Sequence, residues 1–246
     1  MSNDCLINND IINNESYDYI EGNFIERNIF QTHKSQEYIN SNEKLTNAQN
    51  SWKKHKDYKY HFYDDDACDK FMKEEFPDIY HIYNNFTRHV MKADMWRYCI
   101  IYKYGGIYAD SDTVCKVPNL DLLFNRNSKL IGVPENICHM CQWIFAAPKG
   151  SPILKEVIDL LIKRSVEENK GKHYIHHKTG PGVFTGGIEN WLKKNNLEKY
   201  NNKEDYKNYR DKNMHIYEAK NFHKNYIKHL FSGQWINGWC NDKKTV

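Results

Sequence analysis

Apolar and polar positions alternate in short runs along this chain, and stretches of helical spacing separate those runs. Asn28-Ile29-Phe30-Gln31-Thr32 is expected to form a first strand that ends in polar residues. Leu45, Ala48 and Trp52 recur at spacings of three and four, which predicts a helix over 44–54. Tyr58 to Tyr63 alternates aromatic and polar side chains as a second strand does. In Asp64-Asp65-Asp66, Asp65 is the expected N-cap of a helix over Ala67–Phe76. Val90, Met91, Met95, Tyr98, Cys99 and Tyr102 form one apolar stripe on a helix over 87–103. Gly105 stops that helix, because glycine enters the left-handed cap conformation freely. A buried strand through Ala109 follows almost at once. Further strands are expected at 129–133 and 143–147, and helices at 152–166 and 186–194. The charged, Tyr-rich stretch 200–213 reads as a surface loop. Residues 1–24 read as a polar lead-in and 25–246 as a single domain. Alternating helices and strands predict an α/β fold on a mostly parallel sheet.

Composition narrows the function. The 246 residues are 40% hydrophobic and 14% aromatic, enough for a substantial core. The 35 basic and 32 acidic side chains leave a net charge of +3, which argues against a nucleic-acid binder dominated by phosphate contacts. The 7 cysteines are odd in number and scattered at 5, 68, 99, 115, 138, 141 and 240, unlike a disulfide framework. Cys138-His139-Met140-Cys141 has zinc-ligand spacing but no matching second pair, so it is read as two thiols. No run approaches the ~20 apolar residues of a membrane span, and no leader pattern opens the sequence. The expectation is a soluble, reduced, cytoplasmic protein.

The chemistry concentrates at Asp110-Ser111-Asp112, directly after the strand Tyr104-Gly105-Gly106-Ile107-Tyr108-Ala109. Residues two apart on a strand project to one face, so the two carboxylates can converge. Hard divalent cations that carry phosphates often keep only one or two protein carboxylates. Ligands of open α/β sheets bind at the carboxyl ends of strands, where this triplet falls. Asp94 and Arg97 share a face of the preceding helix. They form either a surface ion pair of little consequence or a partly buried pair able to hydrogen-bond a polyhydroxylated ligand.

The run Ala93-Asp94-Met95-Trp96-Arg97-Tyr98, continued by Tyr102 through Asp112, resembles the signature of sugar transferases carrying the DXD motif. These include yeast-type initiating α-1,6-mannosyltransferases and, more distantly, the glucosyltransferase domains of clostridial toxins. Other segments fit in order over roughly residues 25 to 240. Ile29-Phe30-Gln31-Thr32 is similar to the family's I-H-Q-x strand, whose Gln region approaches the nucleotide base, with Phe30 in place of the usual His. Tyr60 to Asp65 resembles the second strand and its acidic end. Thr179-Gly180-Pro181 resembles a segment beside the donor sugar; its plainer reading is a turn. His229-Leu230-Phe231-Ser232-Gly233-Gln234-Trp235 is similar to the family's H-x-x-x-x-S-W ending, with Ser and Trp separated.

The resemblance implies a nucleotide-sugar transferase fold of GT-A type with a Rossmann-like, mostly parallel sheet. It implies transfer of a hexose or N-acetylhexosamine, with retained configuration, from a UDP- or GDP-linked donor. The acceptor is a hydroxyl of a glycan, glycolipid or protein. Asp110, Asp112 and His229 are the implied ligands of Mn²⁺ or Mg²⁺. Asp94, Arg97, Asp110 and Asp112 are the implied catalytic group. Gln31, Thr32, Asp65, Tyr108, Ser111, Thr179, Gly180, Ser232 and Trp235 join Asp94 and Arg97 in holding the donor, with Gln234 able to stand in for Ser232. Two other readings remain: a non-catalytic nucleotide-sugar or glycan-binding protein on the same fold, and a glycoside hydrolase. Hydrolysis needs carboxyl groups that flank one bond, which neighbouring residues of one strand face do not.

Overall fold

The computed structural model describes residues 24–124, 126–134, 139–169, 171, 173–197 and 214–231. Strand β1 (Asn28–Thr32) lies between β2 (Lys59–Tyr63) and β3 (Gly106–Ala109), parallel to both. Beyond β3 come β6 (Ile144–Ala147), β5 (Leu130–Gly132) and β7 (Met214–Ile216), giving the order β2-β1-β3-β6-β5-β7. Only β6 runs against its neighbours, so the sheet is mostly parallel, as expected. A second, two-stranded sheet pairs β4 (Thr113–Cys115) with β8 (Ile227–His229), antiparallel.

Period-two alternation splits the sheet residues between two cores. Phe30, Tyr108 and Phe145 face one side, packed with residues of α3 (Asp65–Glu75), α5 (His89–Tyr104), α6 (Pro152–Ser165) and α8 (Pro181–Lys194). Ile29, Ile107, Ala109, Ile144 and Ala146 face the other, against Trp52 of α2 (Glu43–Lys53), Leu120, Phe124 and Ile227. A sheet covered on both faces is the arrangement that parallel strands require. No helix among the described residues is long and apolar enough to cross a membrane. Cys68, Cys99, Cys115 and Cys141, the cysteines among the described residues, are buried and take part in no disulfide.

Several local expectations change. Asp64, not Asp65, caps α3, its side chain accepting from Ala67 N at 2.8 Å. Asp65 is the first helical residue. Helix α5 is buried on nearly every side rather than along one stripe: Met91, Asp94 to Ile101 are all enclosed. Thr179-Gly180-Pro181 reads as a turn and the next helix as starting at 186, yet α8 begins at Pro181 and runs through Gly182, Gly186 and Gly187. A Cβ on Gly187 would stand 2.5 Å from Val157 Cα, so close packing of α8 on α6 outweighs weak helix propensity. Helices α1 (Gln36–Asn40), α4 (Pro77–Asn85) and α7 (Tyr174–Lys178) have no counterpart in the sequence reading. Residues 1–23 and the stretch 200–213 lie outside the described residues.

The join between α5 and β3 fixes where the motif strand begins. Gly106 has φ +120, and a Cβ there would lie 2.6 Å from Asn28 O on β1. Gly106→Ala is expected to lower stability by about 2–4 kcal/mol through backbone strain and overlap. Urea unfolding of the two proteins checks it, with a shifted midpoint and an unchanged slope as the expected result.

Candidate functional site

The strand β3 delivers Asp110 to the carboxyl edge of the sheet, and the backbone there is tightly held. Asp110 N donates to Trp143 O at 2.8 Å. Its carbonyl accepts from Gln31 Nε2 at 3.1 Å and from Thr113 Oγ1 at 2.6 Å. Gln31 is itself held by Tyr60 OH at 2.9 Å, and Thr113 by Trp52 Nε1. Each bond satisfies a buried polar group that would otherwise be costly. Gln31, expected near a nucleotide base, is fully buried and spends its amide on Asp110.

Pairing of β4 with β8 then brings in a residue far away in sequence. Thr113 stands opposite His229, and Leu230 N donates to Asp112 O at 2.9 Å. His229 Nε2 lies 3.4 Å from Asp112 Oδ1 and 3.7 Å from Asp110 Oδ2. Ligand atoms of Asp110, Asp112 and His229 all fall within 4.8 Å of one another. Two carboxylates and one imidazole so gathered suit a hard or borderline divalent cation, Mn²⁺ better than Mg²⁺. Trp143 packs edge-on against the His229 ring, centroids 4.9 Å apart.

Beneath this group lies a buried charge network on α5. Arg97 NH1 is 3.4 Å from Asp110 Oδ1, and Arg97 NH2 is 3.2 Å from Asp94 Oδ1. The guanidinium sits over the Tyr108 ring at 4.7 Å, and the Tyr108 hydroxyl donates to Asp110 Oδ1. Asp94 accepts from Gln142 Nε2 and from Thr179 Oγ1, each at 2.8 Å. The Tyr98 hydroxyl lies against Gln142 Oε1 and Thr179 O. Burial pushes the Asp94 carboxyl up to about 7 against the pull of Arg97, Thr179 and Gln142. For Asp110, burial acts upward, but Arg97 and His229 prevail and hold it below the usual carboxylate range. Burial lowers His229, yet Asp110 and Asp112 outweigh it and raise the ring above the ordinary histidine value.

The remaining sequence candidates are placed unevenly. Tyr108, Ser111 and Thr179 are buried in or beside the network. Gly180 caps α8, its Cα where a Cβ would meet His176 Cα at 2.8 Å. Thr32 donates to Tyr63 O at 2.8 Å, a strand-to-strand role. Asp65 is exposed, 3.5 Å from His89. Ser232, Gln234 and Trp235 lie outside the described residues. The sequence reading missed Gln142, whose amide joins Asp94 to Tyr98 and whose carbonyl accepts from Arg97 NH1 at 3.2 Å. Its one signal was a polar residue opening an apolar strand. It also missed His33, whose buried Nδ1, just past β1, has no hydrogen-bond partner among the described residues.

Residues 27–129 match the family described as glycosyltransferase sugar-binding region containing DXD motif. The chain is 26% identical over 218 residues to an initiation-specific alpha-1,6-mannosyltransferase of Candida albicans, covering 72% of this chain and 55% of that protein. It is 30% identical over 184 residues to inositol phosphoceramide mannosyltransferase 3 of Schizosaccharomyces pombe, covering 72% of this chain and 48% of the relative. The chain thus spans about half the length of these curated relatives. Among solved structures it is similar to PaToxG glycosyltransferase, with TM-score 0.48, 19% identity and 70% of each chain covered. The segment 27–129 that matches this family carries Asp94, Arg97, Asp110 and Asp112.

Proposed function

We propose that this protein is a metal-dependent, retaining glycosyltransferase that moves a hexose from a nucleotide sugar to an acceptor hydroxyl. The observation that carries it is the convergence of Asp110, Asp112 and His229 beside the Asp94–Arg97 pair. The relatives' names favour mannose as the sugar. Bound there, Mn²⁺ or Mg²⁺ would offset the charge of a departing nucleoside diphosphate.

The chain's own residues divide the remaining work. Asp110 and Asp112 present oxygen ligands from a backbone pinned by Gln31 and Thr113. Arg97 keeps Asp110 ionised and oriented. Asp94 has both oxygens engaged and no exposed surface, so we assign it the role of holding Arg97 in place. A sugar hydroxyl reaches Asp94 only by displacing Thr179 or Gln142. Fixed dipoles and charges of this kind need no reorganisation as charge develops.

The test is a panel of GDP-mannose, UDP-glucose, UDP-galactose and UDP-GlcNAc with Mn²⁺, scored for nucleoside diphosphate release and for the product's anomeric configuration. Release with one donor and a retained anomer is expected. No release from any donor, with or without glycan and glycolipid acceptors, together with unchanged nucleotide affinity in Asp110→Ala, would sink the reading.

A pH dependence follows. Because His229 holds its proton above the ordinary histidine value, a cation must compete with that proton. Mn²⁺ affinity is expected to rise with pH through that raised value, by up to about tenfold per unit below it. Asp110, depressed, stays ionised throughout and adds no slope. Mn²⁺ titrations followed by electron paramagnetic resonance at about pH 6 and about pH 8 check the sign.

A further inference from the structure

His229 makes a hydrogen bond that metal ligation does not explain. Its Nε2 faces Asp110 and Asp112, while its Nδ1 accepts from the backbone N–H of Phe231 at 3.0 Å. A neutral imidazole has one N–H and one lone pair. With the Nδ1 lone pair taken by Phe231, the ring proton sits on Nε2 and is aimed at the carboxylates. A histidine that ligates a cation through Nε2 has the opposite arrangement: the lone pair is on Nε2 and the proton on Nδ1. That proton would meet the Phe231 N–H directly. The Phe231 hydrogen bond and imidazole ligation therefore exclude one another.

The backbone shows where the arrangement yields. Phe231 has φ +48, a left-handed conformation that costs a residue with a Cβ. Phe231 is 64% exposed, and its ring packs on the His229 ring, centroids 4.3 Å apart. The N–H···Nδ1 bond and this ring contact brace the strained turn. Leu230 N is tied to Asp112 O at 2.9 Å, which anchors the chain just before it. Movement falls on the Leu230–Phe231 peptide.

We infer that Phe231 is a positioning residue: it sets which nitrogen of His229 offers a lone pair to the carboxylate site, and its amide must turn away before His229 can ligate a cation. This rests on the metal-site reading given under Proposed function. Cation binding is then coupled to a backbone change at Phe231, and part of the binding free energy is spent on that change.

The decisive measurement is nuclear magnetic resonance on the full ¹⁵N-labelled chain, titrated with Mg²⁺ at a pH above the raised range of His229, where the ring is neutral. Side-chain ¹⁵N shifts report the His229 tautomer, and the Phe231 amide reports its hydrogen bond. The expected result is an Nε2–H ring before Mg²⁺, an Nδ1–H ring at saturation, and a displaced Phe231 amide resonance. An Nδ1–H ring at the start, or a tautomer and amide that stay put while Mg²⁺ saturates, overturns the inference. Mn²⁺ affinity of wild type against Asp112→Asn separates the two readings. If the two proteins bind alike, the metal site itself falls and takes the inference with it. Phe231→Pro has no N–H and cannot adopt φ +48. It is expected to bind Mn²⁺ roughly three- to tenfold more tightly, the value of one hydrogen bond. Unchanged or weaker binding in a Phe231→Pro protein with wild-type Tm overturns the inference as well.

Discussion

Asp112→Asn is expected to reduce glycosyl transfer by about 10²–10³-fold, the scale of removing one preorganised electrostatic contact to developing charge. The amide keeps the carboxylate's shape and loses its charge. Asp112 is buried and meets His229 through Oδ1, while its backbone carbonyl still accepts from Leu230. Stability is expected to fall by no more than about 1–3 kcal/mol, the range for a buried polar group that loses a partner. Asp110→Asn is a less clean experiment, because Asp110 is also the partner of Arg97 and Tyr108. Turnover with the accepted donor, Mn²⁺ affinity and Tm together decide the matter. Turnover within a few-fold of wild type would remove Asp112 from the metal group.

The largest effect on stability is expected at Asp94. Asp94→Leu leaves the buried Arg97 with Asp110 as its remaining carboxylate, leaves Gln142 Nε2 without its acceptor, and leaves Thr179 Oγ1 with Ile175 O alone. Breaking one side of a buried ion pair costs about 3–5 kcal/mol, mostly from the charge left behind. Arg97→Met should cost a similar amount on its own, since it strands Asp94 and Asp110. The double variant Asp94→Leu/Arg97→Met should recover part of the loss, because apolar groups can replace a buried pair at small cost. Denaturant unfolding of the cycle measures this coupling, and additive losses would show that the pair is not a unit. Activity should not return with stability. The double variant still lacks the guanidinium that orients Asp110.

The motif and most of its scaffold were readable along the chain. Alternation marked β2, short apolar runs marked β1 and β6, and spacings of three and four marked α2 and α5, because such patterns are local properties. Asp94 and Arg97 on α5, and Asp110 and Asp112 in the turn just past β3, fall inside one continuous segment of helix, glycine stop, strand and turn, so their proximity follows from local geometry. Glycine and proline misled the reading at 179–181: the turn signal there is the start of α8, with Gly180 as its N-cap and Pro181 in its first turn. Asp64 and Asp65 are indistinguishable as caps by composition, and only the entry angle of the chain separated them.

Long-range pairing supplied the rest. His229 reaches Asp112 because β8 pairs with β4, a contact between segments more than a hundred residues apart that no period encodes. Gln142 closes on Asp94 because antiparallel pairing of β6 with β3 sets the start of β6 beside that helix. The orientation of the His229 ring depends on a single amide at Phe231. Local sequence thus carried the carboxylates and the arginine, since they lie on one helix and on the turn that follows the next strand. The approach of His229, which the sequence offered by resemblance alone, the amide that locks the charge pair and the nitrogen that faces the carboxylates came from strand pairing and burial, which are properties of the assembled fold.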